Sequence, residues 1–165
     1  GIAKKVLAMA QGFGMQVKIW TRSPEKHLDQ YSSDLFTDIE TLLQTSDFIS
    51  LHLPLNENTH EILGSDEIHN MKVGATLINT ARGGLVNEPA LISALRSGHL
   101  RGAGLDVFAE EPLADGHPLL NLDNVILSPH VAYNTPDAVK AIFEITVSNI
   151  CRYFDGEPIN IVAAP

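Results

Sequence analysis

Apolar residues along this chain fall into two alternating rhythms. Short, nearly unbroken apolar runs recur at MQVKIWT (15–21), DFISLHL (47–53), ATLINTA (75–81), GAGLDVF (102–108) and NVILSPH (124–130). Their length and their valine and isoleucine content predict strands. Near-continuous apolarity further predicts strands covered on both faces, as in a parallel sheet. Between these runs the apolar positions recur at helical spacing. IAKKVLAMAQGF (2–13) reads as a helix that stops at Gly14. DIETLLQTS (38–46) starts from an aspartate suited to an N-cap. NEPALISALRSG (87–98) carries an asparagine cap, an early proline, a basic last turn and a terminal glycine. A long final helix is expected from about Pro136 to Phe154.

Strand and helix alternating through short connections predict an α/β fold built on a doubly wound parallel sheet. The chain opens directly on a helix, where such folds normally place a strand first. The first strand is therefore expected to be missing and the sequence to be truncated at its N-terminus. With 165 residues, 44% of them apolar, the chain is read as a single domain with a substantial core. A formal charge of −9 argues against nucleic acid or an anionic membrane as partner. No run reaches membrane-spanning length and no secretory leader opens the sequence, which suggests a cytoplasmic protein. The single cysteine, Cys151, excludes an internal disulfide and a cysteine-built metal site. The irregular stretch AEEPLADGHPLLNLDN (109–124) is long enough to suggest a functional loop.

One residue stands out against this pattern. In INTARGGLVNE (78–88), Arg82 ends an apolar strand and precedes Gly83 and Gly84, which would let the backbone turn sharply. A guanidinium offers planar, bidentate donors that match a carboxylate and keeps its charge when desolvated. At the carboxyl end of a strand it faces the crevice where open α/β sheets take ligands. The alternative is an ordinary arginine beside a helix start. A cation is poorly placed there, because a helix N-terminus already has positive character.

FGMQVKIW, SDFISLHLPLNENTHEIL, MKVGATLINTARGGLVNEPALISALRSGHLRGAGLDVFAEEPL, HPLLNLDNVILSPHVAYNT and NICRYFDGEP occur in this order over essentially the whole chain. Together they resemble the NAD(P)-binding domain of the D-isomer-specific 2-hydroxyacid dehydrogenases. The resemblance implies a Rossmann-type dinucleotide-binding domain. It also implies hydride transfer between NAD(P)H and a small 2-oxo acid or D-2-hydroxy acid.

By that resemblance Arg82 grips the substrate's carboxylate and carbonyl. His130, in SPH, is the family's proton donor, a task that suits a side chain exchanging its proton near neutral pH. Glu111, immediately before Pro112, is the carboxylate that orients and supports the histidine. Asp106 would lie near the nicotinamide carboxamide, although a buried aspartate capping local backbone explains it nearly as well. Thr80 and Ala81, beside Arg82, and Ala132, just past His130, fall at cofactor positions. Leu53 and Pro54 would line the adenine side, where core packing explains Leu53 nearly as well. Thr59 is also placed near the cofactor, but turn and cap chemistry is its first reading.

At the pyrophosphate end the family pattern places Ala3 at the third small position of the glycine fingerprint, with Ile2 before it. The first two glycines would lie upstream of Gly1. After VKIW come Thr21, Arg22 and Ser23, where NAD-preferring relatives carry an acidic residue. Hydroxyls and a guanidinium suit a 2′-phosphate, so NADP is expected over NAD, with an ordinary loop arginine as the alternative. By the resemblance, the family's N-terminal substrate domain is expected to be absent from this chain, and a homodimer is expected. Two other readings stay open: a dinucleotide-sensing, corepressor-like interaction protein, and a fragment that is inactive alone.

Overall fold

The computed structural model describes residues 1–162. They cluster into two compact units, Gly1–Pro129 and a second that begins at His130. In the first unit four strands, β1 (Phe48–Leu51), β2 (Thr76–Asn79), β3 (Gly102–Leu105) and β4 (Val125–Leu127), form one sheet. Four helices accompany them: α1 (Ile2–Gly12), α2 (Ile39–Thr45), α3 (Ser65–Asn70) and α4 (Glu88–Arg96). The strands are parallel and run in sequence order. This is an α/β, Rossmann-like architecture. The register sets Leu51, Asn79, Leu105 and Leu127 in one row, so the strands deliver their next residues to a common edge.

Side chains at the helix starts act as the sequence indicates. Asp38 accepts from the Thr41 backbone N–H at 2.7 Å and from its hydroxyl at 2.7 Å, and these bonds hold its carboxyl below the usual carboxylate range. Asn87 accepts from the Ala90 N–H at 3.0 Å. Gly14 and Gly98 have φ of +74° and +76°, a conformation that costs glycine least, and they follow α1 and α4. The core forms where Leu43 of α2, Ile68 of α3 and Leu91 and Leu95 of α4 pack on Ile49, Leu51, Leu77, Ala103 and Leu105 of the strands.

Three sequence expectations change. Burial is unequal between the two faces of the sheet: buried residues alternate with exposed ones along β1 and with partly covered ones along β2 and β3. The helices of the core meet one face, while on the other Phe48 is about half exposed and Ile126 largely so. The run 15–21 is not a strand. It makes a single parallel bridge, Ile19 to Phe36, with two flanking hydrogen bonds of 2.7 and 3.0 Å. A strand needs a continuous ladder, and two bonds do not supply one. The short helix α3 was not expected at all: its six residues bury only Ile68, which gives no periodic signal.

In the second unit α5 (Pro136–Phe154) starts from Thr135, whose hydroxyl accepts from the Ala138 N–H at 3.2 Å. None of its residues is buried, and Phe143, Val147, Ile150 and Phe154 are exposed. Among the described residues no helix is long and apolar enough to cross a membrane.

Thr59 shows how the loop after β1 is fixed. It is fully buried; its hydroxyl donates to the Pro54 carbonyl at 2.6 Å and accepts from the Asn56 N–H at 2.9 Å. Thr59→Val should remove both bonds and cost about 1–3 kcal/mol in denaturant unfolding, while Thr59→Ser should retain most of the stability. Equal stability of all three proteins would show that the loop does not depend on this hydroxyl.

Candidate functional site

The carboxyl end of β2 is organised by a neutral side chain. Asn79 is 1% exposed in an otherwise apolar row. Its Oδ1 accepts from the Ala81 N–H at 3.0 Å, and its Nδ2 donates to the Arg82 carbonyl at 2.9 Å. Its own carbonyl accepts from the Asp106 N–H at 3.0 Å, tying the end of β2 to the residue after β3. The backbone of residues 80–82 is thereby fixed. Arg82 lies at the surface, with Nη1 donating to the Ala81 carbonyl at 2.6 Å. A buried, satisfied amide thus supports an exposed cation at the edge where parallel sheets bind ligands.

The chain then passes through a 3-10 turn at Gly83–Leu85. The glycines do not serve here as sharp-turn residues, since neither has a positive φ. Gly83 is required by proximity: a Cβ there would lie 1.9 Å from the Phe108 carbonyl oxygen and 2.7 Å from the Ala109 nitrogen. Backbone packs directly on backbone, joining the Arg82 turn to the start of the loop that carries Glu111. On its other side the turn is held by the Glu61 N–H on the Gly84 carbonyl at 2.8 Å and the Leu63 N–H on the Leu85 carbonyl at 3.1 Å.

Asp106 is 2% exposed and accepts from the Ser128 hydroxyl at 2.5 Å, so it links the ends of β3 and β4. Glu111 is exposed, and its Oε1 accepts from the Phe108 N–H at 3.0 Å. Thr80 is exposed and Ala81 half-buried beside Arg82. After β1, Leu53 packs on the core and Pro54 is exposed, while Thr59 is committed to the turn beneath them. His52, between β1 and Leu53, sits 3.0 Å from the Ser50 hydroxyl, and burial pushes its ring pKa down. His130 and Ala132 belong to the second unit, where His130 has a φ of +54°, unusual for a residue with a side chain.

At the other candidate region, Ile2 and Ala3 are exposed in the first turn of α1. That helix start has no side-chain cap and no acidic residue in its first turn. Its first N–H groups and positive end suit an anionic group such as a pyrophosphate. Thr21 and Pro24 line an open groove of about 330 Å³ together with Trp20, Phe36, Thr37 and Asp38. The Thr21 hydroxyl accepts from the Ser23 N–H at 3.4 Å, and Arg22 is exposed between them. The Asp38 carboxylate in this groove is engaged with Thr41 through both oxygens.

Sequence reasoning overlooked Asn79, Glu88 and His117. Asn79 was visible as the amide inside the apolar run ATLINTA. The half-buried pair Glu88–His117, with Oε1 and Nε2 3.1 Å apart, had no local signature. Among the described residues no group of three or more His, Cys, Asp or Glu is placed to hold a metal ion.

Comparison with known proteins bears on the whole of this region. Residues 1–132 match the family model of the D-isomer specific 2-hydroxyacid dehydrogenase, NAD binding domain. A glyoxylate reductase of Thermococcus litoralis is 41% identical over 98% of this chain and 49% of its own length. The TT0316 protein of Thermus thermophilus superposes with a TM-score of 0.90 at 41% identity, covering 98% of this chain and 50% of that one. An acyclic imino acid reductase solved in complex with NADPH and D-Arg gives a TM-score of 0.84 at 34% identity, over 98% of this chain and 50% of its own. The chain thus spans about half the length of the relatives it matches.

Close packing at Gly83 has a direct consequence. Gly83→Ala should force the turn away from Phe108 and cost about 1–3 kcal/mol by denaturant unfolding. Gly84→Ala should cost less, since its Cβ would meet side chains and no backbone, the exposed Leu55 at 3.1 Å and His60 at 3.8 Å. Equal losses in the two variants would contradict the assignment of the tight contact to Gly83.

Proposed function

This chain belongs to the D-isomer-specific 2-hydroxyacid dehydrogenase family through its NAD-binding domain, and on that premise we propose that the whole protein reduces a small 2-oxo acid, or oxidises the matching D-2-hydroxy acid, with a nicotinamide dinucleotide. Glyoxylate is the first candidate substrate, from the name of the Thermococcus relative. The observation that carries the proposal is the Asn79-braced turn, which leaves the Arg82 guanidinium exposed at the carboxyl edge of a parallel sheet.

When bound, the dinucleotide supplies the hydride. Each protein group has a distinct task. The Arg82 fork pairs with the substrate carboxylate and polarises the adjacent carbonyl. The His130 imidazolium gives its proton to the carbonyl oxygen as that oxygen becomes a hydroxyl, and Glu111 stabilises the charged ring. Asp106, Thr80, Ala81 and Ala132 are each assigned to the nicotinamide end. Leu53 and Pro54 flank the adenine, with Thr59 acting through the loop it fixes. Ile2 and Ala3 present the start of α1 to the pyrophosphate.

Arg22, with the hydroxyls of Thr21 and Ser23, favours NADP over NAD, since a guanidinium and two hydroxyls match a 2′-phosphate. Solved relatives carry either dinucleotide, NADPH in the imino acid reductase and NAD in a D-lactate dehydrogenase, so the choice rests on these three residues. A cytoplasmic homodimer extends the family reading.

Fluorescence titration of the complete protein with NADPH and NADH, followed by glyoxylate, tests the proposal. NADPH should bind more tightly and be oxidised on adding the acid. Arg82→Lys, which keeps the charge and loses the fork, should reduce kcat/KM about a hundredfold, equivalent to the ~2–3 kcal/mol of a charged hydrogen bond. Dinucleotide binding without turnover of glyoxylate or hydroxypyruvate would favour a dinucleotide-sensing protein. Unchanged kcat/KM in the variant would remove Arg82 from the site.

A further inference from the structure

Glu88 is the first residue of α4 and lies in the part of the sequence that turns away from Arg82. Its carboxylate is largely screened from water: the side chain is 16% exposed and both oxygens have partners. Oε1 lies 3.1 Å from Nε2 of His117, and Oε2 accepts from the Ala109 N–H at 3.3 Å. His117 is equally committed, with its side chain 21% exposed. Its Nδ1 accepts from the Leu119 N–H at 3.3 Å, which caps the 3-10 turn Pro118–Asn121. Since Nδ1 is an acceptor, the ring proton resides on Nε2 and points at Glu88. One carboxylate therefore holds the segment between Ala109 and His117 at both ends. Glu111 lies within that segment, and the segment begins beside the Phe108–Gly83 contact that abuts the Arg82 turn.

We propose that Glu88 and His117 form a clamp that positions the Glu111-bearing loop relative to Arg82 and thereby sets the turnover rate without contacting substrate or dinucleotide. This rests on the proposed oxidoreductase reading and deepens it. A carboxylate is suited to the task. It can accept from a backbone N–H and a ring N–H at once, and at the first turn of a helix its charge is favoured by the helix dipole. The loop closed by the clamp is otherwise irregular. With one end released, Glu111 would sample a wider range of positions, and small displacements of catalytic groups reduce rates steeply.

The two nitrogens of His117 allow the clamp to be separated from simple capping. His117→Gln retains a donor near the Nε2 position and loses the Leu119 cap. His117→Asn retains an acceptor near the Nδ1 position and loses the bond to Glu88. In the complete protein, with kcat referred to the concentration of NADPH-binding sites, Glu88→Ala and His117→Asn should lower kcat by roughly tenfold to a hundredfold. The KM for glyoxylate and the Kd for NADPH should stay within about twofold, and His117→Gln should recover most of the rate. Amide exchange of residues 106–117 should accelerate in Glu88→Ala and His117→Asn and remain near wild type in His117→Gln.

Loss of rate in His117→Gln with full rate in His117→Asn would overturn the proposal, leaving His117 as a turn cap only. Unchanged kcat and unchanged exchange in Glu88→Ala would overturn it as well. If the wild-type protein turns over no 2-oxo acid, the oxidoreductase reading fails by itself. The exchange pattern then decides whether the clamp exists.

Discussion

A buried amide at the end of the second strand is the constraint on which the rest of this architecture depends. Placing Asn79 at 1% exposure is costly unless both ends of its amide are paired. Both are, to Ala81 and Arg82, and those bonds define the path of the chain as it leaves the sheet. Because the partners are backbone groups two and three residues on, the side chain replaces the ladder bonds that end with β2. The Asp106 N–H on the Asn79 carbonyl extends the same fixing to β3. A flexible cation is thereby set on a rigid base, the condition under which a guanidinium fork loses least entropy on meeting a carboxylate.

Around that point the fold works by bringing backbone close to backbone. Parallel register aligns the ends of all four strands in one row, so the residues after Leu51, Asn79, Leu105 and Leu127 share an edge. Ser128 and Asp106 join two of these ends, and Thr59 locks the loop beyond a third. Gly83 allows the Arg82 turn to touch Phe108, and Glu88 with His117 holds the loop that follows. Each element is short; precision comes from the number of independent ties that converge on the same edge.

Much of this was legible in the sequence, for identifiable reasons. Asp38 and Asn87 are local caps whose partners lie three residues away, so the pattern carries them. The placement of Arg82 just past a strand end was legible because it closes an apolar run before two glycines. The ladder of 15–21 was not, since a strand exists only through its neighbours, and Ile19 finds just one bridge at Phe36. The alternating burial of β1, β2 and β3 was hidden because apolar residues occupy both faces while the core helices meet only one. Asn79 was present in the motif but carried no charge to draw notice. Glu88 and His117 are joined across a loop, and nothing in either local sequence announces the pairing.

The central claim is that Asn79 holds Arg82 in place for an incoming carboxylate. It is tested most directly by Asn79→Asp in the complete protein, a change that keeps size and the acceptor for Ala81 but removes the donor to the Arg82 carbonyl. Steady-state reduction of glyoxylate should be measured beside NADPH affinity, the latter serving as the control for an intact dinucleotide site. The account predicts at least roughly a tenfold fall in kcat/KM, from the loss of a buried hydrogen bond and the carboxylate set against a carbonyl, with NADPH affinity nearly unchanged. Wild-type kcat/KM in this variant would contradict it.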